Sequence, residues 1–231
     1  MKPTYRFLKP LGLYLMLMTS GAMAGEAYVD HEFRGSEETV SLKGGAGQFN
    51  GVRHTFADQA EPNRYFLYYR AEEPYELSLT DGAAVGTPSG PALVVKREVG
   101  GDVEFGGLAL VVPMAGWSGG NVTTADLDNL LLNVTLAAPA GQPTPVTLEV
   151  NDDKGQFVER INLPLEIAND GEFHDHTYSL MMLPESEKNR IVNALNKVAS
   201  TKLTLNFGLS FKNAGTEAPY LAIRKLKLEG Q

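Results

Sequence analysis

Between Lys202 and Lys212 the chain runs KLTLNFGLSFK, with Leu203, Leu205, Phe207, Leu209 and Phe211 at every second position. An α-helix would scatter those five side chains around its circumference, whereas an extended strand lines them along one face. The pattern returns in Pro219–Glu229, where Leu221, Ile223, Leu226 and Leu228 alternate with one slip at Arg224-Lys225, the mark of a β-bulge. Upstream, Arg64–Arg70 (RYFLYYR), Tyr75–Leu79, Ala92–Arg97, Val103–Val112, Leu130–Ala137, Pro145–Val150, Gln156–Leu163 and Phe173–Leu183 carry the aromatic and branched residues that suit a pleated surface. Gly106-Gly107 predicts a bulge or bend inside its strand.

The punctuation agrees with this reading. Asn151-Asp152-Asp153-Lys154-Gly155 joins two strands with residues that close tight turns, and predicts a β-hairpin. Thr80–Pro91, rich in Gly and Pro, and Ala115–Thr124 read as loops. Residues 25–63, broken by glycines at 44, 45, 47 and 51, predict short strands and turns. One helix stands out: Pro184-Glu185-Ser186-Glu187 opens it with Ser186 as cap, and Ile191, Val192, Leu195, Val198 and Ala199 share a face. Many strands at short spacing with one inserted helix, and no repeat or linker, predict a single all-β sandwich over residues 25–231.

The first 24 residues have a different character. Lys2, Arg6 and Lys9 precede a short apolar run, Leu11–Met18, and Ala22-Met23-Ala24 has the small-x-small form that a signal peptidase accepts. That order predicts a signal peptide cleaved before Gly25, and a periplasmic or extracellular protein. The run is too short to span a membrane, and no membrane insertion of the mature chain is expected. Cleavage would leave 17 basic against 28 acidic residues, a net charge of −11. Nucleic acid needs a basic footprint and is not an expected partner. With no cysteine in the chain, thiol catalysis and thiolate-bound metal are excluded, and stability must come from an apolar core.

Several segments in residues 85–230 resemble the galactose-binding-like jelly rolls, the superfamily of many carbohydrate-binding modules. They are Gly90-Pro91-Ala92-Leu93-Val94-Val95, Asp126-Leu127-Asp128-Asn129 leading into Leu130–Val134, Val146–Val150 with its Asp-Asp-Lys-Gly turn, Glu172-Phe173 to Leu180, and the closing Leu221–Leu228. The resemblance implies a jelly-roll β-sandwich with one short helix between late strands, and a carbohydrate or cell-surface glycan as partner. Phe173 stands where that superfamily often has tryptophan. Arg224 and Lys225 stand where it often has acids belonging to a structural calcium site, so calcium is the one cofactor the resemblance raises and these two cations count against it.

Candidate binding residues follow from chemistry. Trp117, the only tryptophan, sits in a glycine-rich loop with Asn121, where an aromatic body with a polar tip suits a half-wet site for a sugar ring. If Tyr65–Arg70 is a strand, Tyr65, Leu67 and Tyr69 face one way and Phe66, Tyr68 and Arg70 the other. One face must be core; the other, with Tyr68 and Arg70 or Arg64, offers a platform and a planar hydrogen-bonding fork. The expected ligand-binding set is Trp117, Tyr68, Arg70 and Asn121. His174 and His176 share a strand face but need a third ligand, His31 or His54, to hold a metal; a polar edge-strand face is the simpler reading. Asp126, Asp128, Asp152 and Asp153 are oxygen ligands without EF-hand spacing, explained more simply by turns. Glu72, Glu73, Glu98 and Glu104 could supply a glycosidase pair, yet no catalytic motif accompanies them. The favoured expectation is a non-catalytic binding module. Its rivals are a structural or adhesive surface protein that binds another protein through an exposed sheet, and an enzyme acting on polysaccharide.

Overall fold

A computed structural model describes residues 27–56, 64–83, 90–211 and 219–231. The predicted signal peptide lies outside the described residues. The strands are β1 (Ala27–Glu32), β2 (Glu38–Gly44), β3 (Asn50–His54), β4 (Arg64–Ala71), β5 (Tyr75–Ala83), β6 (Pro91–Gly100), β7 (Val103–Pro113), β8 (Leu130–Ala137), β9 (Val146–Asn151), β10 (Phe157–Leu163), β11 (His174–Ser179), β12 (Lys202–Gly208) and β13 (Tyr220–Gly230). Helices α1 (Thr124–Asp128) and α2 (Glu185–Lys197) complete the set. All pairings are antiparallel, and they build the two sheets of a jelly-roll sandwich. One sheet has the order β11-β8-β13-β6-β5-β2, with β1 also paired to β13; the other is β10-β9-β12-β7-β4-β3.

Register shows why the alternation specifies this fold. Tyr65, Leu110, Leu205, Leu148 and Ile161 pair in sequence across five strands of the six-stranded sheet, and all are buried in the core between the sheets. A shift of one residue on any strand would turn its apolar set toward solvent. Leu77, Leu79, Leu93, Val95, Leu132, Val134, Leu226 and Leu228 come from the other sheet to the same core. The slip at Arg224 is a register shift between Ile223 and Lys225, as predicted. A smaller cluster of Ala92, Val94, Ala137, Tyr220 and Ala222 lies apart from the main core. Phe173 packs on it, with the Arg224 guanidinium 3.8 Å above its ring.

Four local expectations are corrected. Gly106 and Gly107 make no bulge; they pair regularly with Tyr69 and Tyr68, and their missing Cβ atoms leave room for those two side chains. The predicted loop at Thr80 begins later: β5 runs to Ala83, and the buried Asp81 accepts from the Gly35 and Ser36 amides and the Ser36 hydroxyl at 3.0–3.3 Å. Residues 84–89 lie outside the described residues. Phe173–Leu183 is strand only from His174 to Ser179; Leu180–Met182 is a 3-10 turn that buries Leu180 and exposes Met181 and Met182. Ser186 does not cap α2. Pro184 does, its carbonyl accepting from the Glu187 and Lys188 amides, and Ser186 lies in the first turn.

Candidate functional site

The six-stranded sheet has a second face, opposite the core, and that face is a groove of about 980 Å3. The register lays out its floor in rows. Arg64, Val111, Thr204, Glu149 and Arg160 pair in turn across β4, β7, β12, β9 and β10. The next row is Arg53, Phe66, Ala109, Asn206, Thr147 and Asn162, from β3 to β10. The third is Gly51, Tyr68, Gly107 and Gly208. Small residues on β7 and β12 keep the middle low, and large side chains on the outer strands raise the banks.

The floor is polar and recessed. Thr147, Glu149, Thr204 and Asn206 are only 4–6% exposed although they lie on the outer face of the sheet. Asn206 Nδ2 donates to Glu149 Oε1 at 3.1 Å and to Thr147 Oγ1 at 3.4 Å, and Arg160 Nε pairs with the same Glu149 oxygen at 2.7 Å. Asn206 Oδ1 has no well-aligned donor among the described residues, although the Asn206 side chain engages Tyr68 and opposes the rise in its pKa. Beside it lies the Tyr68 hydroxyl; a Cβ on Gly107 would collide with both. Burial pushes the Tyr68 hydroxyl above the ordinary tyrosine range, and the Glu149 charge adds to this.

One bank is an aromatic ladder. Phe66 and Tyr68 stack at 5.9 Å between centroids, Phe49 lies 6.2 Å from Tyr68, and Phe49 stacks on Phe105 at 5.6 Å. The Arg53 guanidinium continues the ladder, 5.6 Å above the Phe66 ring. On the far bank Arg160 lies 5.2 Å above Phe157. Phe49, Phe105 and Phe157 are 46–58% exposed, a large apolar area to leave in water. The far bank is braced from behind, since Arg190 of α2 donates to the Arg160 carbonyl at 3.1 Å and pairs with Glu159 at 2.7 Å. The β9–β10 hairpin bends toward the opposite bank, bringing Gly155 close to Arg53. Its turn is closed by Asp152 Oδ1, which accepts from the Lys154 and Gln156 amides at 2.9 and 2.7 Å.

The residues expected to bind ligand divide between two places. Tyr68 is in the groove with Phe66. Arg70 shares their face of β4, but its Nε is paired with Glu104 at 2.9 Å and it does not line the groove. Trp117 and Asn121 sit in the loop after β7, where Trp117 packs partly against the core. Asn196 of α2 ties that loop down through two hydrogen bonds to the Val122 backbone, at 2.9 and 2.8 Å. Neither Trp117 nor Asn121 lines the groove. Asn206, Glu149, Phe105, Phe157 and Arg160 were not singled out from sequence. The signal for them was available only in the pairing register.

Other candidates are engaged elsewhere. His174 bonds Asp170 at 3.0 Å, and the His176 ring lies 6.4 Å away, its pKa lowered by burial and then by His174. His31 packs on Phe33 and Tyr65, and His54 pairs with Glu38. Among the described residues no three His, Asp or Glu side chains gather to hold a metal. Asp126 caps α1 through Thr123, and Asp128 pairs with Lys188 at 2.7 Å. Glu98 meets Lys96 and Ser78.

No protein-family model and no curated protein matches this sequence. Solved structures are similar at low identity. The enzymatically active domain of tailspike protein 4 of bacteriophage CBA120 is 10% identical with a TM-score of 0.32; the match covers 84% of this chain but only 19% of that one. A family 30 carbohydrate-binding module of a cellulosomal cellulase of Clostridium thermocellum is 12% identical with a TM-score of 0.40, over 88% of this chain and 98% of the other. A family 11 carbohydrate-binding module from a cellulosomal cellulase of the same organism is 11% identical with a TM-score of 0.34, over 85% and 96%. Carbohydrate-binding modules thus stand among the structures to which this chain is similar.

Proposed function

We propose that the chain is an exported, non-catalytic module that holds a segment of polysaccharide in the groove of the six-stranded sheet. The observation that carries this reading is the recessed polar row Thr147, Glu149, Thr204 and Asn206 beside an aromatic ladder. A sugar presents both surfaces such a groove needs: apolar ring faces for Phe66, Tyr68 and Phe105, and hydroxyls that donate to Asn206 Oδ1 and Glu149. Sites of this kind combine a mostly apolar wall with a few placed polar groups. A binding role fits the carboxylates better than glycosidase chemistry. Glu149 is tied to Arg160, and the other two carboxylates lining the groove among the described residues, Asp152 and Asp153, are neighbours on the turn of the same hairpin. Glycosidases place their pair on two sides of the scissile bond. Export to the periplasm or beyond is proposed from residues 1–24.

Affinity electrophoresis of the mature chain through gels containing neutral and acidic polysaccharides tests the proposal. The expected result is retardation by at least one polymer, weakened by Phe66→Ala. Loss of one aromatic contact worth about 1 kcal/mol corresponds to roughly fivefold in affinity. Free migration in every polymer, or retardation that Phe66→Ala and Asn206→Ala both leave intact, overturns it.

A further inference from the structure

We infer that the groove selects an acidic polysaccharide, one bearing carboxylate or sulfate groups, over its neutral counterpart. The inference rests on the carbohydrate reading and adds the charge of the ligand. The chain as a whole is acidic, with 28 Asp and Glu against 20 Lys and Arg. Among the described lining residues the groove reverses that balance: Arg53, Arg64, Lys154, Arg160 and Lys202 against Glu149, Asp152 and Asp153. In a chain with carboxylates to spare, surface cations readily find partners. Lys43, Arg70, Lys96, Arg97, Lys188, Arg190 and Lys227 each meet one within 4.0 Å. Arg53, Lys154 and Lys202 meet none among the described residues, as is also true of Arg34, Lys197 and Lys225 elsewhere; what distinguishes the first three is that they line one groove.

Glu149 is matched by Arg160, and the charged Asp152 and Asp153 of the hairpin turn then stand against Arg53, Lys154 and Lys202, three cations to two carboxylates among the described lining residues. A concave surface with low-dielectric walls focuses the field of the remaining cations on whatever lies between them. Arg53 is the best placed of the three, because its plane lies over Phe66 at one end of the aromatic ladder. A ring stacked on the ladder would present an acidic substituent to its fork, and a guanidinium takes a carboxylate or sulfate through two parallel N–H bonds. A nucleic acid would also meet aromatics and cations, but the net charge of the whole chain opposes it.

The test compares polymers that share a backbone and differ in charge: polygalacturonate with its full methyl ester, and dextran sulfate with dextran. Dissociation constants are read by affinity electrophoresis at low and high salt. Three screened ion contacts amount to about tenfold in affinity, so the charged member of at least one pair should bind about tenfold tighter at low salt, and high salt should narrow the gap. The combined variant Arg53→Gln, Lys154→Gln, Lys202→Gln should lose most of that preference. All three side chains are exposed and carry no ion pair, and the contact the variant gives up is that of Arg53 over Phe66. Equal or tighter binding of both neutral members, or a preference untouched in the triple variant, overturns the inference while leaving the polysaccharide reading standing. Binding of a single-stranded oligonucleotide in place of all four polymers overturns both.

Discussion

The most informative perturbation is one methyl group. Gly107 lies in the floor with Tyr68 on one side and Gly208 on the other. Gly107→Ala sets a Cβ against Asn206 Oδ1 and the Tyr68 hydroxyl, with the Tyr68 Cζ at 2.7 Å, closer than real Cβ contacts come. Both neighbours are side-chain tips, so they move and the backbone stays. Asn206 cannot move without leaving Glu149 and Thr147. One of those bonds goes to a charged acceptor and the other is long, so their loss costs about 2–3 kcal/mol. Alanine recovers about 0.5–1 kcal/mol over glycine in a strand. The net is a destabilisation of about 1–2 kcal/mol, or a Tm lowered by about 2–8 °C for a domain of this size. Urea denaturation followed by circular dichroism measures it, with Gly45→Ala as control. Gly45 has no positive φ, and a Cβ there meets nothing nearer than Gln48 Oε1 at 3.5 Å. If Gly107→Ala is as stable as the parent and binds ligand as well, the described floor is wrong.

Trp117→Ala and Asn121→Ala should leave polysaccharide retardation unchanged where Phe66→Ala weakens it; the opposite ranking would move the site to the loop after β7. Leu205→Ala, at the centre of the buried row, should cost about 2–5 kcal/mol in denaturant titration, and a cost below 1 kcal/mol would contradict the register. Burial pushes the Tyr69 hydroxyl up to about 12, while it donates to the Gly101 carbonyl at 3.2 Å. Its folded pKa is raised, so its contribution to stability is complete below the unfolded value near 10 and is lost as pH rises toward 12. Stability measured across that window should fall less steeply in Tyr69→Phe.

Strand identity was legible because apolar residues at even spacing admit one face only, and for β4 and β12 this fixed which side chains enter the core. The same spacing placed Phe66 and Tyr68 together on the other face. What it could not show is whether that face is open to bulk water. Thr204, Asn206, Thr147 and Glu149 look like ordinary solvent-side positions of two strands. They become a recessed row only when β12 and β9 pair and Arg160 and Tyr68 rise on either side. Gly106-Gly107 was legible as an exception but not as which kind, since glycine in a strand serves a bend and a close approach equally well. Rarity drew attention to Trp117, yet rarity says nothing of position: Asn196, 74 residues from Val122, holds its loop against α2. The helix start was legible but its cap was misassigned, because proline itself can close the entry, its carbonyl serving the first amides in place of the serine side chain.

The placement of β13 bears on how the chain is made. This late segment is an inner strand of its sheet, flanked by β8 on one side and by β6 and β1 on the other. Until residues 220–230 have been synthesised, β8, β6 and β1 each lack the neighbour that satisfies their amides and carbonyls, so the sheet cannot assemble in step with translation. A nascent or truncated polypeptide ending short of Tyr220 would therefore expose several open strand borders at once, the condition that favours intermolecular association over folding.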